Sequence, residues 1–251
     1  SESEDVAEWI MSLDIEPGEP TQPERFNKDV LMERQAKVGP TLFGLHYKLD
    51  TSLADAEKYP LKLEDLIVLD FDHELVPEKV VWAASTENKK VPSFGMSGDK
   101  VYEPMWISER FVEPQQKFMF VDPSGRGKDE TAYCVASTSC GYVFIHELSG
   151  LEGGYSEAVL KKICKIALEN EVQAIIAESN YGDAMFNKLL IPVMQKICPD
   201  VGLMEEKVTG AKEVRIIRSL EPVMSQHRLC FNTKAIKEKE TQIQITRLTE
   251  R

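Results

Sequence analysis

Hydrophobic positions along this chain fall into two regimes, short interrupted groups up to about residue 114 and regular strand and helix periods beyond it. In the first regime, residues 5–13 have the pattern of a short helix. Residues 16–23 follow, and Pro17, Gly18, Pro20 and Pro23 there predict a linker or an extended arm. Residues 26–38 predict an amphipathic helix with Asn27 as its cap and Val30, Leu31 and Arg34 following at helical spacing, stopped by Gly39 and Pro40. Residues 41–49 form a second short apolar element. Residues 66–71 and 79–84 read as strands, and Pro77, Pro92 and the stretch 93–99 predict an irregular connection.

The second regime starts with residues 118–121, a continuous apolar run of the kind found in central strands. Residues 131–137 and 142–148 read as strands flanking Ser139-Cys140-Gly141, a hairpin signal. Residues 156–169 place Val159, Ile163, Ile166 and Ala167 at helical period. Residues 172–177 predict another buried strand, 184–197 a helix kinked at Pro192, 201–204 a short strand, 211–224 a helix, and 228–231 a terminal strand or turn. Three antiparallel strands followed by alternating helices and parallel strands make a mixed α/β sheet with helices on both faces. This is the order of the ribonuclease-H-like fold. The expected organisation is therefore an irregular part over 1–114 and a regular domain over 115–251, with no internal repeat.

At 251 residues and 42% hydrophobic, the chain can bury one large core or two modest ones. No apolar run approaches the roughly 18 residues of a membrane span. The acidic start, Ser1-Glu2-Ser3-Glu4-Asp5, is wrong for a secretory signal, and the absence of an initial Met leads us to expect a longer parent protein. Five cysteines without CxxC pairs fit reduced thiols of a cytosolic compartment and argue against zinc. The net charge of −12 is uneven: 13 basic against 24 acidic side chains in residues 1–120, 7 against 11 in 121–200, and 10 against 7 in 201–251. The basic end keeps nucleic acid open as a partner, because phosphate contacts need only a local Lys/Arg face; an ordinary solvated surface accounts for the charge equally well.

Two runs end on a carboxylate. Phe118-Met119-Phe120-Val121-Asp122 breaks into Pro123-Ser124-Gly125-Arg126-Gly127-Lys128-Asp129, and Ala174-Ile175-Ile176-Ala177-Glu178 breaks into Ser179-Asn180-Tyr181-Gly182-Asp183. In the expected topology the first and fourth strands are neighbours, which brings Asp122 and Glu178 within metal-bridging distance. Oxygen-ligated Mg²⁺ or Mn²⁺, as two ions roughly 4 Å apart, would suit phosphodiester chemistry there. A lone Asp at a strand end is more often a turn former, but the repeat of the pattern in the right slot weakens that reading. The glycine-rich loop lacks the four-residue gap and the Ser/Thr of a Walker A loop, so it does not read as a nucleotide cradle. Arg126 and Lys128 within it can touch a DNA phosphate. Asp129 is equally an outer metal ligand or a hairpin residue, and Asp183 a helix cap or a metal-bound residue. Lys212, Arg215 and Ser219 share a helical face that can track a phosphate backbone or simply face solvent. His46, His73, His146 and His227 are isolated, and no nucleophile elbow is present.

At these residues the sequence resembles the large terminase subunit of tailed bacteriophages, particularly the short-tailed lytic podophage type. Phe120-Val121-Asp122-Pro123-Ser124 with Gly127-Lys128-Asp129 is similar to the family's first nuclease motif, and Ile175-Ile176-Ala177-Glu178-Ser179-Asn180 with Gly182 to its second. Lys212-Glu213-Val214-Arg215-Ile216 followed by Leu220-Glu221-Pro222 resembles a later basic helix. Pro23-Glu24-Arg25-Phe26, Phe43 and Tyr47 resemble the end of the ATPase motor and its linker, which gives the expected domains: motor end and linker over 1–114, nuclease over 115–251.

The resemblance implies a Mg²⁺- or Mn²⁺-dependent endodeoxyribonuclease that cuts concatemeric double-stranded DNA, with Asp122 and Glu178 as catalytic metal ligands. It further implies DNA contacts from Arg126, Lys128, Lys212 and Arg215. The portal protein and the small terminase subunit are the implied partners, with a homo-oligomer on the procapsid in the host cytoplasm. ATP is expected only in the family's N-terminal motor, since no Walker A or B pattern occurs here. The family's third acid belongs to a His-Asp-Asp-like segment, expected beyond Arg251, and the passage 237–241 reads as a join where a loop is missing. Alternatives from the same residues are a junction-resolving or repair nuclease of the same fold, and a non-catalytic module that docks a portal or motor.

Overall fold

The computed structural model of the chain describes residues 20, 22–39, 43–44, 47, 61–83, 90–91, 101–124, 130–178, 185–207 and 209–237. The helix expected at 5–13, most of the apolar element at 41–49 and the stretch beyond 237 lie outside them. In chain order come helix α1 (Lys28–Val38), a 3-10 turn (Leu63–Asp65), and strands β1 (Ile67–Leu69), β2 (Val76–Pro77), β3 (Val80–Val81), β4 (Lys90–Val91), β5 (Val101–Tyr102), β6 (Trp106–Ile107) and β7 (Phe111–Val112). The regular part follows: β8 (Gln116–Asp122), β9 (Thr131–Ser139), β10 (Tyr142–Leu151), α2 (Glu157–Glu169), β11 (Ala174–Glu178), α3 (Met185–Ile197), β12 (Gly202–Glu206), α4 (Lys212–Ser225), β13 (Leu229–Asn232) and α5 (Thr233–Lys237).

Nine strands form one sheet in the order β12-β11-β8-β9-β10-β13-β1-β5-β4. β9 runs antiparallel to β8 and β10, while β11 and β12 run parallel to β8, so the first and fourth strands of the regular part are neighbours as expected. The β9–β10 turn is Cys140-Gly141, both at positive φ (50° and 82°) between the paired Ser139 and Tyr142. That is the backbone a two-residue hairpin of the right twist requires. The register slips by one residue between Ile145 and Glu147, a bulge that carries β10 on to Leu151, past the expected end at 148.

Helix α2 starts where the Ser156 hydroxyl accepts from the Val159 N–H, and it buries Val159, Leu160, Ile163, Cys164, Ile166 and Ala167 along one stripe. Helix α3 runs unbroken through Pro192 and buries Phe186, Leu190 and Met194, four residues apart. Together they cover one sheet face, against Met119, Val121, Tyr133, Val135, Ile175 and Ala177. Helix α4 covers part of the other face, with Ile216, Leu220, Val223 and Met224 packed on the cluster that holds Cys134, Ala136, Ile145 and Phe231. Helix α1 rests on α4. There Gly39 (φ +85°) leaves room for the buried Glu221, whose Cδ would lie 2.9 Å from any Cβ added at 39.

The position near residue 114 is not an edge of the sheet. β1, β5 and β4 lie before it, and β1 pairs in parallel with β13 (Ile67↔Cys230 to Leu69↔Asn232). Ile67 and Leu69 pack with Phe71, Val76 and Phe144 on one side, and Val68 packs with Leu66 and Phe231 on the other. A strand apolar on both faces needs cover on both, and only a place inside the sheet supplies it. Among the described residues, no helix is long and apolar enough to cross a membrane.

Candidate metal centre

Along β8, Lys117, Met119 and Val121 are buried while Phe120 and Asp122 are exposed. Successive strand residues face opposite sides. Met119 and Val121 therefore go under α2 and α3, and Phe120 and Asp122 go to the face that carries α4. β11 repeats the pattern, with Ile175 and Ala177 fully buried and Ile176 and Glu178 half-buried. The register is Ile176↔Phe120 and Ala177↔Val121, so the next residues, Glu178 and Asp122, end adjacent parallel strands on one face. The core consumes the apolar runs, and the acid that follows each emerges at the carboxyl end of the sheet, where open α/β sheets bind ligands. Just past Asp122 the chain is pinned: the Ser124 N–H donates to the Thr131 hydroxyl at 3.2 Å, both residues being buried.

A cavity of about 220 Å³ opens over this edge, lined by Phe120, Asp122, Cys134, Ile176, Glu178 and Glu206. Glu206 was missed from the sequence. It ends β12, paired Ile176↔Met204 and Glu178↔Glu206, whereas the expected strand stopped at residue 204. β12 is the outermost strand, and apart from half-buried Leu203 it is exposed, so burial leaves no alternation in its sequence. The available signal was an acid pair, Glu205-Glu206, directly after a strand predicted beside the fourth.

Lys212, the first residue of α4, brings its Nζ to 3.3 Å from Asp122 Oδ2. The two side chains are 69% and 53% exposed, so the pair contributes at most about 1 kcal/mol. Arg215, one turn on, is half-buried, and its Nε is enclosed without a hydrogen-bond partner among the described residues. Arg126, Lys128, Asp129 and Asp183 lie outside the described residues, as do Asn180 and Gly182.

The donors on this edge are carboxylates. Cys134 on the cavity wall is no competitor, because burial pushes its thiol up to about 12 and keeps it protonated at neutral pH. An oxygen set of this kind fits a hard divalent cation such as Mg²⁺ or Mn²⁺. A different grouping, His73, Glu74 and Glu171, has ligand atoms within 4.8 Å of one another. It sits at the opposite end of β8, where the Lys117 ammonium donates to the carbonyls of His73 and Asn170.

Residues 121–229 match the family model described as "Terminase Bacteriophage T7, Ribonuclease H-like domain". Over 223 residues the chain is 41% identical to the "Terminase, large subunit" of Enterobacteria phage T3, a match that takes in 88% of this chain and 38% of that protein. Among solved structures, the nuclease domain of the large terminase subunit of bacterial virus Sf6 is similar at 13% identity and a TM-score of 0.42, over 54% of this chain and 71% of that one. The large terminase of a thermophilic bacteriophage is similar at 10% identity and a TM-score of 0.46, over 87% of this chain and 44% of that one. The chain thus spans well under half the length of the T3 subunit.

Proposed function

The chain belongs to the phage large-terminase family and carries its ribonuclease-H-like domain, and from that premise we propose that it is a metal-dependent endonuclease acting on double-stranded DNA in a viral packaging machine. The observation that supports this most is the placing of Asp122 and Glu178 at the ends of adjacent parallel strands, over one cavity. These two carboxylates hold the divalent cations, Mg²⁺ or Mn²⁺, and orient them at the rim of the sheet. Bound there, the cations supply Lewis-acid stabilisation of the phosphoryl oxygens and an activated water. Asp129 is a further candidate ligand or a hairpin residue, and Asp183 a further candidate ligand or a helix cap.

The cationic residues position the duplex. Lys212 stands at the acid row, Arg215 follows on the same helix, and Arg126 and Lys128 belong to the loop after Asp122. Contacts of this kind go to phosphate and carry no sequence information, so cutting shows little base preference. Part of the segment before residue 114 is the end of a packaging motor and its linker, while its strands β1, β4 and β5 complete the nuclease sheet, and ATP is bound by the motor rather than by this domain. The portal protein, the small terminase subunit and further copies of the chain are the partners on the procapsid, in the host cytoplasm.

Asp122→Ala tests the reading. Mn²⁺-dependent cleavage of plasmid DNA by the 251-residue chain should fall by about 10³-fold or more while the melting temperature stays near that of the wild type. Cleavage that survives in Asp122→Ala overturns the assignment, and so does a wild-type chain that neither cleaves DNA nor binds Mn²⁺ by calorimetry.

A further inference from the structure

We propose that a second cavity, on the sheet face away from Asp122 and Glu178, is a binding site for an organic cation, an ammonium or guanidinium group. The inference does not depend on the nuclease reading.

This cavity measures about 380 Å³, within the range of small-molecule sites. The bulge in β10 builds its wall. Ile145 pairs with Ala136 and Glu147 with Val135, which leaves His146 as the extra residue. Ile145 packs on the side of the sheet that carries α4, and Val135 packs under α2 and α3. Paired residues share a face, so Glu147 lies on the Val135 side, and His146, next after Ile145, lies there too. A regular strand would send the two to opposite faces. The bulge instead delivers an imidazole and a carboxylate, consecutive in sequence, to one cavity that both line.

The lining sets the chemistry of the ligand. His146 is only 6% exposed, and its Nε2 lies 2.8 Å from Ser137 Oγ. Its other ring nitrogen, Nδ1, has no hydrogen-bond partner among the described residues, so it is the ring atom left to a ligand. Burial lowers this imidazole to about 4, so at neutral pH it is uncharged and repels no cation. Three carboxylates, Asp72, Glu147 and Glu169, line the space against one ammonium, Lys234. Hydrogen bonds from the Leu75 and Glu74 N–H groups lower Asp72 below the usual carboxylate range and keep it ionised. Glu147 accepts from Asn170 Nδ2 at 2.9 Å and from the Tyr133 hydroxyl at 3.4 Å, which leaves about two of its four acceptor positions. The Lys117 ammonium is committed to the carbonyls of His73 and Asn170. Acceptors and negative charge are therefore in excess, and they select a ligand that brings donors and positive charge. The Phe71 and Tyr133 rings on the wall add faces that attract a cation. The same carboxylates repel an anion such as phosphate. Two sources share the selected chemistry, a free polyamine and the Lys or Arg side chain of a partner protein.

The test titrates spermidine and N-acetyl-arginine amide, each separately, into the 251-residue chain in EDTA at constant ionic strength. Binding is read by calorimetry and by the two-bond ¹H–¹⁵N spectrum of the histidine rings, in which His146 is identified by its loss in His146→Gln. At least one probe should bind with a dissociation constant of about 1 mM or tighter and shift the Nδ1 resonance of His146. The tighter probe identifies the source: spermidine a free amine, the arginine derivative a side chain of a partner. Glu147→Gln keeps an acceptor for Asn170 and should weaken binding about 10-fold, the scale of one charge-assisted hydrogen bond, with the melting temperature within about 3 °C of the wild type. Glu169→Gln, at the exposed end of α2, should weaken it about 3-fold without a change in stability. Asp122→Asn should leave it unchanged. Binding by neither probe overturns the inference. So does heat without a shift at His146, or an affinity that falls in Asp122→Asn and stays constant in Glu147→Gln and Glu169→Gln, and none of these results touches the nuclease reading.

Discussion

The cavity beside His146 measures about 380 Å³ and holds Asp72, His73, His146, Glu147, Glu169 and Lys234, whereas the cavity over Asp122 measures about 220 Å³ and offers three acids. By size and by number of titratable groups the first is the stronger candidate for a functional site. Several of its polar groups, however, are hydrogen-bonded within the fold. Ser137 Oγ lies 2.8 Å from His146 Nε2, Asn170 Nδ2 donates to Glu147 Oε1 at 2.9 Å, and the Asn232 amide donates to the Phe71 carbonyl. The Asp72 carboxylate accepts from the N–H groups of Glu74 and Leu75. Those bonds tie the loop after β1 to the centre of the sheet. Over Asp122, the acids stand at the ends of three neighbouring strands, Asp122 and Glu206 exposed and Glu178 half-buried. The comparison sets polar groups bonded across the middle of the fold against acids gathered at the carboxyl ends of its strands.

The most forceful way to break this comparison is to exchange the consequences. Glu178→Gln should cost about 10³-fold in Mn²⁺-dependent cleavage with little change in melting temperature, since the residue ends a strand and its removal leaves no cavity. Lys117→Met should do the reverse. Its side chain is only 7% exposed, and its ammonium serves the carbonyls of His73 and Asn170. Leaving two carbonyls without their charged donor should cost about 3 kcal/mol, or roughly 6–12 °C in melting temperature for a chain of this length. Cleavage per folded molecule should stay near that of the wild type. A folded but inactive Lys117→Met would move the chemistry to the larger cavity.

How far the sequence reached follows the same division. Asp122 and Glu178 were legible because each ends a continuous apolar run, and such runs have one place to go in a parallel sheet. Glu206 was not, because its strand lies at an edge and is stabilised by pairing with β11 rather than by burial of its own side chains. The insertion of β1 beside β13 was equally hidden, since Ile67 and Cys230 are joined across more than half the chain and no local period encodes a partner at that distance. The approach of Lys212 to Asp122 depends on where α4 begins relative to β8, which helical spacing alone does not give.

The pH dependence of stability sharpens the comparison by a smaller amount. Burial, helped by the Lys117 and His73 charges and opposed by Asp72, lowers His146 to about 4 from the ordinary histidine value of about 6.5. Between those values the unfolded chain binds the proton and the folded chain does not, so stability is full above pH 6.5 and is lost as pH falls toward 4. The loss should reach about 2 kcal/mol by pH 5. His146→Gln retains a hydrogen-bonding partner for Ser137 and should remove that part of the slope in urea titrations at pH 7 and pH 5. An identical slope in the variant would show that His146 does not carry it.

The smallest expected effect concerns Lys212, the one described basic residue whose ammonium reaches the acid row. The ion pair with Asp122 is exposed on both sides, so Lys212→Ala should leave the melting temperature within about 1 °C. Its two other readouts should move in opposite directions. Removing a cation that competes for Asp122 should tighten Mn²⁺ binding by a factor of about 2–5, the scale of an exposed pair of up to about 1 kcal/mol. Removing a phosphate contact should weaken duplex binding at low salt and reduce the slope of log affinity against log salt by about 1. Weaker Mn²⁺ binding with an unchanged salt slope would mean that Lys212 orders the Asp122 carboxylate for the cation and touches no phosphate. A change in neither would make the 3.3 Å contact a surface pair without consequence, and it would leave Arg215, Arg126 and Lys128 to track the backbone.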